Sequence, residues 1–225
     1  MSDCRLVVLI SGSGSNLQAI IDACAAGKIR GEVVAVISNR PYAYGLERAK
    51  QVGIPDITLD HTAFEDRESF DQALMALIDS FTPDLILLAG FMRILTQEFT
   101  RHYAGRMLNI HPSRLPKFRG LHTHQRALEA GEKRHGASIH FVTDELDGGP
   151  VILQSEVRVR PDHTEDTLAA EVLVTEHRIY PLATQWFCDG RLRMNSEAVF
   201  FEGKRLSKPL QLNEVQEDGV TADHE

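Results

Sequence analysis

Long apolar runs, clustered cysteines and an excess of basic side chains are all missing from this chain of 225 residues. Without about 20 consecutive apolar residues there is no candidate membrane span, and the apolar stretch 6–10 is too short for a secretory signal. Cys4, Cys24 and Cys188 are odd in number and far apart, so we predict neither a disulfide framework nor a cysteine metal site. A formal net charge of -8 argues against nucleic acid as a partner, because phosphate backbones are bound by clustered Lys and Arg. We therefore expect a soluble, cytoplasmic protein that acts without a membrane or nucleic acid.

The composition is that of an ordinary globular protein, with 43% hydrophobic and 25% charged residues. A chain of this length can bury a substantial core in one large domain. We predict a single domain over residues 1–206. Residues 207–225 are polar and acidic, and we expect a flexible tail there.

The first half of the chain alternates short apolar runs with stretches in which apolar residues recur at helical spacing. Helices are predicted at 17–26, 46–52 and 70–81. Strands are predicted around them at 6–11, 33–38, 57–59, 85–89 and 107–110. The expected fold class is α/β, a mostly parallel twisted sheet with helices on both faces and a Rossmann-like N-terminal half.

The second half predicts antiparallel additions toward the C-terminus. A helix is expected at 123–130, with strands at 138–142 and 151–159. A long helical stretch over 164–188 contains Pro181, which predicts a break or kink near Tyr180. Residues 192–201 are a candidate edge hairpin.

A glycine-rich loop, SGSGSN at residues 11–16, follows the first predicted strand and opens the first helix. Backbone N–H groups and the helix dipole favour an anion at such a position. The loop lacks the third glycine of a dinucleotide fingerprint and the Gly-Lys of a Walker loop. We predict a site for one phosphate monoester, with Gly14, Ser15 and Asn16 as donors. The alternative is a structural turn in which Ser15 or Asn16 caps the helix.

An amide, an imidazole and a carboxylate give the second polar signal. Asn109 and His111 alternate on the fifth predicted strand, so both point to one side at its carboxyl end, where α/β sheets bind ligands. Asp147 precedes two glycines, which allow a loop to bring its carboxylate close to His111. Together the three groups indicate acyl or proton chemistry. Taken singly, His111 fits a structural histidine and Asp147 a turn former.

Two further segments have both a structural and a functional interpretation. Residues 90–95, GFMRIL, follow the fourth predicted strand and either line a flat apolar ligand pocket or pack in the core with one solvated arginine. His122 and His124 raise the question of zinc, but no cysteine or carboxylate stands nearby at metal-ligand spacing, so we predict no metal.

Taken together, these segments resemble the phosphoribosylglycinamide formyltransferase family of purine biosynthesis. The resemblance is carried by VLISGSGSNLQ at 8–18, LAGFMRIL at 88–95, NIHPS at 109–113 with Leu115, Pro116 and Gly120, and HFVTDELDGGP at 140–150. It covers the chain from about residue 6 to residue 203. The Asn, His and Asp set is shared with other folate-dependent formyltransferases, whereas the phosphate loop and residues 120–122 favour the glycinamide ribonucleotide branch.

The resemblance implies transfer of a formyl group from 10-formyltetrahydrofolate to the amine of 5-phosphoribosylglycinamide, with no metal. It assigns Asn109, His111 and Asp147 to stabilisation of the tetrahedral intermediate. The acceptor would be bound by Gly14, Ser15, Asn16 and Glu176. The folate would be enclosed by Arg67, Met92, Arg93, Ile94, Leu95, Asn109, Thr143 and Asp144.

The same resemblance implies a phosphate-binding half over residues 1–100 and a catalytic and folate-binding half over residues 101–206. Its partners would be small-molecule substrates, and a homodimer is one candidate oligomeric state. Leu173 departs from the family pattern, in which a polar side chain reaches the phosphate.

Other functions stay open on the sequence. A methionyl-tRNA formyltransferase would carry a further C-terminal domain and a basic face, and a formyltetrahydrofolate hydrolase an extra domain before the first strand; we expect neither extension here. A non-catalytic nucleotide-binding module would use Asn109, His111 and Asp147 only to order loops. An NADP-dependent oxidoreductase rests only on Arg40 after the second strand.

Overall fold

The structure, a computed structural model, describes residues 3–196 and 198–215. The chain divides into two compact units. The first comprises Met1–Asn109 and Val142–Asp144, and the second Ile110–Phe141 and Glu145–Glu225. The single domain predicted over residues 1–206, with its two halves, stays a prediction.

The first unit is a parallel sheet with helices. Its strands are β1 (Cys4–Ile10), β2 (Gly31–Ser38), β3 (Asp56–Thr58), β4 (Leu85–Leu88) and the first part of β5 (Met107–His111). Its helices are α1 (Ser15–Ala25), α2 (Tyr44–Gln51), α3 (Arg67–Ser80) and α4 (Gln97–His102), with a 3-10 turn at His61–Ala63. Parallel pairing gives the order β3-β2-β1-β4-β5, which confirms the predicted Rossmann-like half.

Both faces of this sheet are buried, which explains why its strands are continuous apolar runs. On one face, Val7 and Leu9 join a core cluster that includes Phe70 of α3 and Phe99 of α4. Between them in sequence, Val8 is also fully buried. The loops that follow β1 and β4 therefore start from closely packed strand ends.

The second unit holds the antiparallel elements, as predicted. Its helices are α5 (Thr123–Glu129) and α6 (Glu165–Cys188). Its further strands are β6 (Arg134–His135), β7 (Ser138–Phe141), β8 (Val151–Gln154), β9 (Val157–Arg158), β10 (Leu192–Asn195), β11 (Ala198–Phe201), β12 (Lys204–Arg205) and β13 (Leu210–Gln211). β7 pairs with β8, β6 with β9 and β11 with β10 and β12, all antiparallel. The hairpin predicted over 192–201 is confirmed, but it belongs to a separate three-stranded sheet and not to an edge of the main sheet.

The single strand predicted over 151–159 is wrong, because the chain changes partners at Ser155. The Ser155 N–H donates to the Ala137 carbonyl at 3.0 Å, and its hydroxyl accepts the Ala137 N–H at 3.1 Å. A Cβ on Gly136 would lie 2.1 Å from the Ser155 carbonyl oxygen, so the two backbones meet closely. The run is therefore split into β8 and β9.

The break predicted near Tyr180 is also wrong, because α6 continues through Pro181. The Thr184 hydroxyl donates to the Tyr180 carbonyl at 2.9 Å. Tyr180 and Trp186 are both completely buried. Burial of such large side chains on either side of the proline outweighs its cost of about 3 kcal/mol.

The expected tail does not begin at residue 207. β13 pairs in parallel with β8, and the Leu212 N–H donates to the Gln154 carbonyl at 2.8 Å. Residues 216–225 lie outside the described residues. Within the described ranges, no helix is long and apolar enough to cross a membrane.

Candidate functional site

The glycine loop closes tightly against α2. Gly14 precedes α1 in the left-handed conformation at φ 70°, and a Cβ there would lie 2.6 Å from Gly45 Cα. The Gly45 N–H donates to the Gly12 carbonyl at 3.0 Å. Ser15 and Asn16 are the first residues of the helix and do not cap it, so the capping interpretation is wrong. The backbone N–H groups at this helix start are therefore not bonded to a capping side chain, and such groups can bind an anion.

Arg48 of α2 adds positive charge to this loop, and the sequence interpretation missed it. Its Nε donates to the Ser13 carbonyl at 2.8 Å, and its Nη1 donates to Gln18 Oε1 at 3.2 Å. The two bonds hold the guanidinium beside the start of α1. The available signal was a lone arginine on the helix that follows β2, which periodicity alone assigns to a solvated face.

The segment after β4, residues 90–95, we call the pocket segment. Phe91 is 9% exposed and packs in the core, whereas Met92 and Ile94 are 59% and 51% exposed. The predicted solvated arginine is wrong, because Arg93 is half-buried with a buried Nε, and the ligand pocket stays a prediction. The Arg93 guanidinium lies 4.5 Å above the Phe70 ring. An exposed apolar surface at the carboxyl end of a parallel strand suits a flat ligand.

The remaining candidates of the first unit lie in or beside its loops. Arg67 is the exposed first residue of α3. Asp144 accepts a hydrogen bond from Gln97 Nε2 at 2.8 Å, and Thr143 is half-buried beside it in the chain. Asn109 is half-buried on β5, opposite Leu88 of β4.

His111 ends β5 and is paired with Asp147 in the second unit. Its Nδ1 lies 3.4 Å from Asp147 Oδ2, and its Nε2 lies 2.9 Å from the Phe118 carbonyl oxygen. The two side chains are 7% and 9% exposed. Both ring nitrogens therefore face an oxygen acceptor, which fixes the orientation of the ring.

A tight turn places the Asp147 carboxylate. The Gly148 N–H donates to the Glu145 carbonyl at 3.0 Å, and Asp147 adopts φ 49°, a left-handed conformation that Asp tolerates better than most residues. Asp147 Oδ2 also accepts the Gly120 N–H at 2.8 Å. The loop that holds His111 through Phe118 therefore holds its partner as well.

His140 on β7 is a third member of this group that sequence reasoning did not single out. Its Nδ1 lies 2.9 Å from the Phe141 carbonyl oxygen, and its Nε2 lies 3.8 Å from Asp147 Oδ1. Burial lowers the pKa of His140, and the Phe141 carbonyl and the Asp147 carboxylate act in the opposite direction. The signal was a histidine inside an otherwise apolar strand pattern.

A second histidine pair lies in the same unit. His124 Nδ1 is 3.1 Å from His135 Nε2, and the two rings meet edge to face. Burial lowers the pKa of both rings, that of His135 to about 4, with the facing His124 as the next cause for His135. The pair is therefore neutral near pH 7. Within the described residues, no group of three or more His, Cys, Asp or Glu side chains is placed to hold a metal ion.

Glu176 is 7% exposed on α6, although its helix includes polar and exposed positions. Val174, two residues before Glu176, is 64% exposed. The two side chains therefore lie on different faces of α6. Leu173 is half-buried on the same helix.

The candidate site residues are thus distributed over both units. The second unit brings together His111 and Asp147, and it also contains Glu176. The first unit contains Gly14, Ser15, Asn16, Arg67, Met92, Arg93, Ile94, Leu95, Asn109, Thr143 and Asp144.

Comparison with known proteins gives consistent results. The family model described as formyl transferase matches residues 4–184. A phosphoribosylglycinamide formyltransferase of Escherichia coli (strain K12) is 59% identical over 202 residues, which cover 90% of this chain and 95% of that protein. One from Haemophilus influenzae is 46% identical over 210 residues, covering 93% of this chain and 99% of that protein.

A solved structure agrees. The structure of phosphoribosylglycinamide formyltransferase from Coxiella burnetii, in complex with CHES, superposes with a TM-score of 0.89 at 50% identity. The match covers 93% of this chain and 99% of that one. The chain belongs to the formyl transferase family.

Proposed function

We propose that the protein transfers the formyl group of 10-formyltetrahydrofolate to the amine of 5-phosphoribosylglycinamide, in purine biosynthesis. The family and the relatives named for this activity support the proposal. The observation that carries its chemistry is the buried pair of His111 and Asp147, with Nδ1 and Oδ2 3.4 Å apart. A buried carboxylate so close to the ring fixes its orientation and places a negative charge beside it.

The reaction needs charge stabilisation and one proton transfer. The amine nitrogen bonds to the formyl carbon, the carbonyl oxygen becomes an oxyanion, and the bond from that carbon to the folate nitrogen then breaks. One proton passes from the amine to the departing nitrogen, through water or these same groups. We assign no step to a metal.

Asn109 and His111 are the groups suited to the oxyanion. The Asn109 amide donates hydrogen bonds, and the His111 imidazolium supplies positive charge. Asp147 faces the ring with its carboxylate and is itself held by the Gly120 N–H at 2.8 Å. Preorganised donors of this kind contribute about 3 to 4 kcal/mol each in acyl transfer.

Each substrate has a proposed set of contacts. For the acceptor phosphate these are the backbone groups of Gly14, Ser15 and Asn16 at the start of α1, with Arg48 adding charge. Glu176 contacts the ribosyl or amine portion of the acceptor. The folate contacts are the pocket segment with Arg67, Asn109, Thr143 and Asp144.

The test offers the purified protein 10-formyltetrahydrofolate with three competing acceptors: glycinamide ribonucleotide, methionyl-tRNA and water. Tetrahydrofolate formation is followed by absorbance, and the formylated product is identified by mass spectrometry. We expect formylation of glycinamide ribonucleotide alone, at a rate more than 100-fold above the other two. Preferred formylation of methionyl-tRNA, release of free formate, or no turnover with any acceptor would contradict the proposal.

A further inference from the structure

The pocket segment forms neither helix nor strand, so its backbone must be held by other groups. Phe91 anchors it in the core, while Met92 and Ile94 are exposed on the outer side. In the proposed function this segment contacts the folate, whose pteridine needs backbone donors and acceptors in fixed positions. Its backbone geometry therefore decides how well the formyl donor binds.

Ser11 holds the start of the pocket segment. The Met92 N–H donates to Ser11 Oγ at 2.7 Å, and Ser11 Oγ in turn donates to Asn39 Oδ1 at 2.5 Å. Ser11 is 4% exposed and Asn39 is 1% exposed, so water does not readily replace either bond. A hydroxyl that accepts one hydrogen bond and donates the other joins the pocket segment to the end of β2.

Asp71 on α3 holds the residue directly after the segment. Its Oδ2 accepts the Thr96 N–H at 2.6 Å, a charge-assisted bond, and the side chain is 1% exposed. Within the described part of the chain, the other oxygen, Oδ1, is buried without a hydrogen-bond partner. Burial also raises the pKa of Asp71, with Thr96 and then Arg93 acting in the opposite direction.

A buried carboxylate with only one oxygen in a hydrogen bond lowers the free energy of unfolding, because its charge is desolvated. A neutral acceptor would hold the same N–H group without that cost. Features that cost stability without improving packing are typical of functional positions. Arg93 adds a third attachment, because its guanidinium stacks on Phe70, the neighbour of Asp71 on α3. The pocket segment is thus fixed near both ends and in its middle by groups of the first unit.

We infer that Ser11 and Asp71 are positioning residues for the formyl donor, which fix the backbone of the pocket segment and do not touch the donor themselves. The inference rests on the proposed function, because it concerns the same folate site. It separates these two side chains from Asn109, His111 and Asp147, which act on the reacting atoms.

The test measures kcat and both KM values for Ser11→Ala, Ser11→Thr, Asp71→Ala and Asp71→Asn. We expect the donor KM to rise about fivefold in Ser11→Ala and about tenfold or more in Asp71→Ala, because a neutral and a charge-assisted bond are lost. With donor saturating, kcat and the acceptor KM should stay within about twofold of the wild type. Ser11→Thr and Asp71→Asn should restore the donor KM to within about twofold, since a hydroxyl and an amide oxygen still accept the N–H.

Two matched controls separate this role from a general loss of packing. Ser38→Ala removes another buried serine hydroxyl, at the end of β2, which bonds to the Arg40 backbone rather than to the pocket segment. Asp79→Ala removes another carboxylate of α3, at the other end of the helix, which accepts a hydrogen bond from the Tyr103 hydroxyl at 2.9 Å. Both controls should keep the donor KM of the wild type. Titration with tetrahydrofolate alone, by calorimetry, should rank the variants in the same order.

Folded Ser11→Ala and Asp71→Ala proteins that keep the wild-type donor KM would overturn the inference, as would equal changes in kcat and in both KM values. If Asp71→Ala does not fold, the comparison of Ser11→Ala with Ser11→Thr alone tests the inference. A wild-type protein with no formyl transfer refutes the proposed function itself, whereas an active wild type with unaffected variants refutes only the positioning role.

Discussion

Asp147 accepts the backbone N–H of Gly120 at 2.8 Å on Oδ2, the same oxygen that faces His111 Nδ1 at 3.4 Å. Two residues earlier, the Phe118 carbonyl lies 2.9 Å from the other nitrogen of the ring. One short backbone stretch therefore orients the carboxylate and the imidazole together. A substitution can therefore remove the negative charge of residue Asp147 and keep its hydrogen bond to the Gly120 N–H.

Asp147→Asn tests that separation. An amide oxygen still accepts the Gly120 N–H, so we expect the variant to fold, with less than about 2 kcal/mol lost from the free energy of unfolding. The negative charge that faces His111 Nδ1 is gone, so kcat should fall about 100-fold or more. Glu145→Gln is the matched control, because that carboxylate belongs to the same turn, is 63% exposed and pairs with Arg119. A variant within about threefold of wild-type kcat would show that the charge is not needed.

Gly14→Ala tests the phosphate loop. The left-handed φ of 70° and the 2.6 Å approach to Gly45 Cα leave no room for a Cβ. We expect a loss of about 2 kcal/mol or more in the free energy of unfolding, with a raised acceptor KM. A Cβ on Gly12 meets no atom within 4 Å, so Gly12→Ala should cost less than about 1 kcal/mol. Equal stability of the two variants in urea unfolding would contradict the close approach.

His135 makes stability depend on pH. Burial, and then His124, lower its pKa to about 4 in the folded protein, from 6.5 for an unperturbed histidine. The unfolded chain therefore binds a proton that the folded protein does not, and this contribution to stability is present above about pH 6.5 and is lost as the pH falls toward 4. Between pH 7.5 and 5.0, His135→Gln should lose about 2 kcal/mol less unfolding free energy than the wild type. Parallel pH profiles in urea unfolding would argue against a neutral buried ring.

Cys24 should react slowly with thiol reagents. Burial, and then the neighbouring Cys4, raise its pKa to about 11, so little thiolate exists at pH 8. In a protein that retains only this cysteine, after Cys4→Ser and Cys188→Ser, burial remains as the cause, and we expect labelling at pH 8 to be at least about tenfold slower than in the same protein unfolded in urea. Equal rates in the two conditions would mean that the thiol is not protected.

The parallel half of the fold was predictable because buried strands are apolar runs and the helices between them have amphipathic spacing. Pro181 shows the limit of local rules, since burial of Tyr180 and Trp186 keeps α6 continuous. The split between β8 and β9 depends on Ser155 meeting Ala137, a contact between distant parts of the chain that periodicity does not report.

The residues of the candidate site likewise include some that the sequence predicts and others that only the structure shows. His111 and the turn before Gly148 stand out by residue type and position, so their proximity was a reasonable expectation. The roles of Gly120 and His140 depend on contacts with Asp147 that the sequence does not show, although a histidine in an apolar strand pattern marked His140 as unusual. Arg48 and Ser11 likewise gain their roles only from the loops that they meet.

The most direct test of the account is the rate of formyl transfer by His111→Ala at saturating concentrations of both substrates. His102→Gln is its control, because His102 also pairs with an aspartate, Asp79, at 2.8 Å but is 43% exposed in the first unit. We predict a folded His111→Ala protein whose kcat is at least about 1000-fold below that of the wild type, with His102→Gln unchanged. A folded His111→Ala protein that turns over like the wild type would contradict the account.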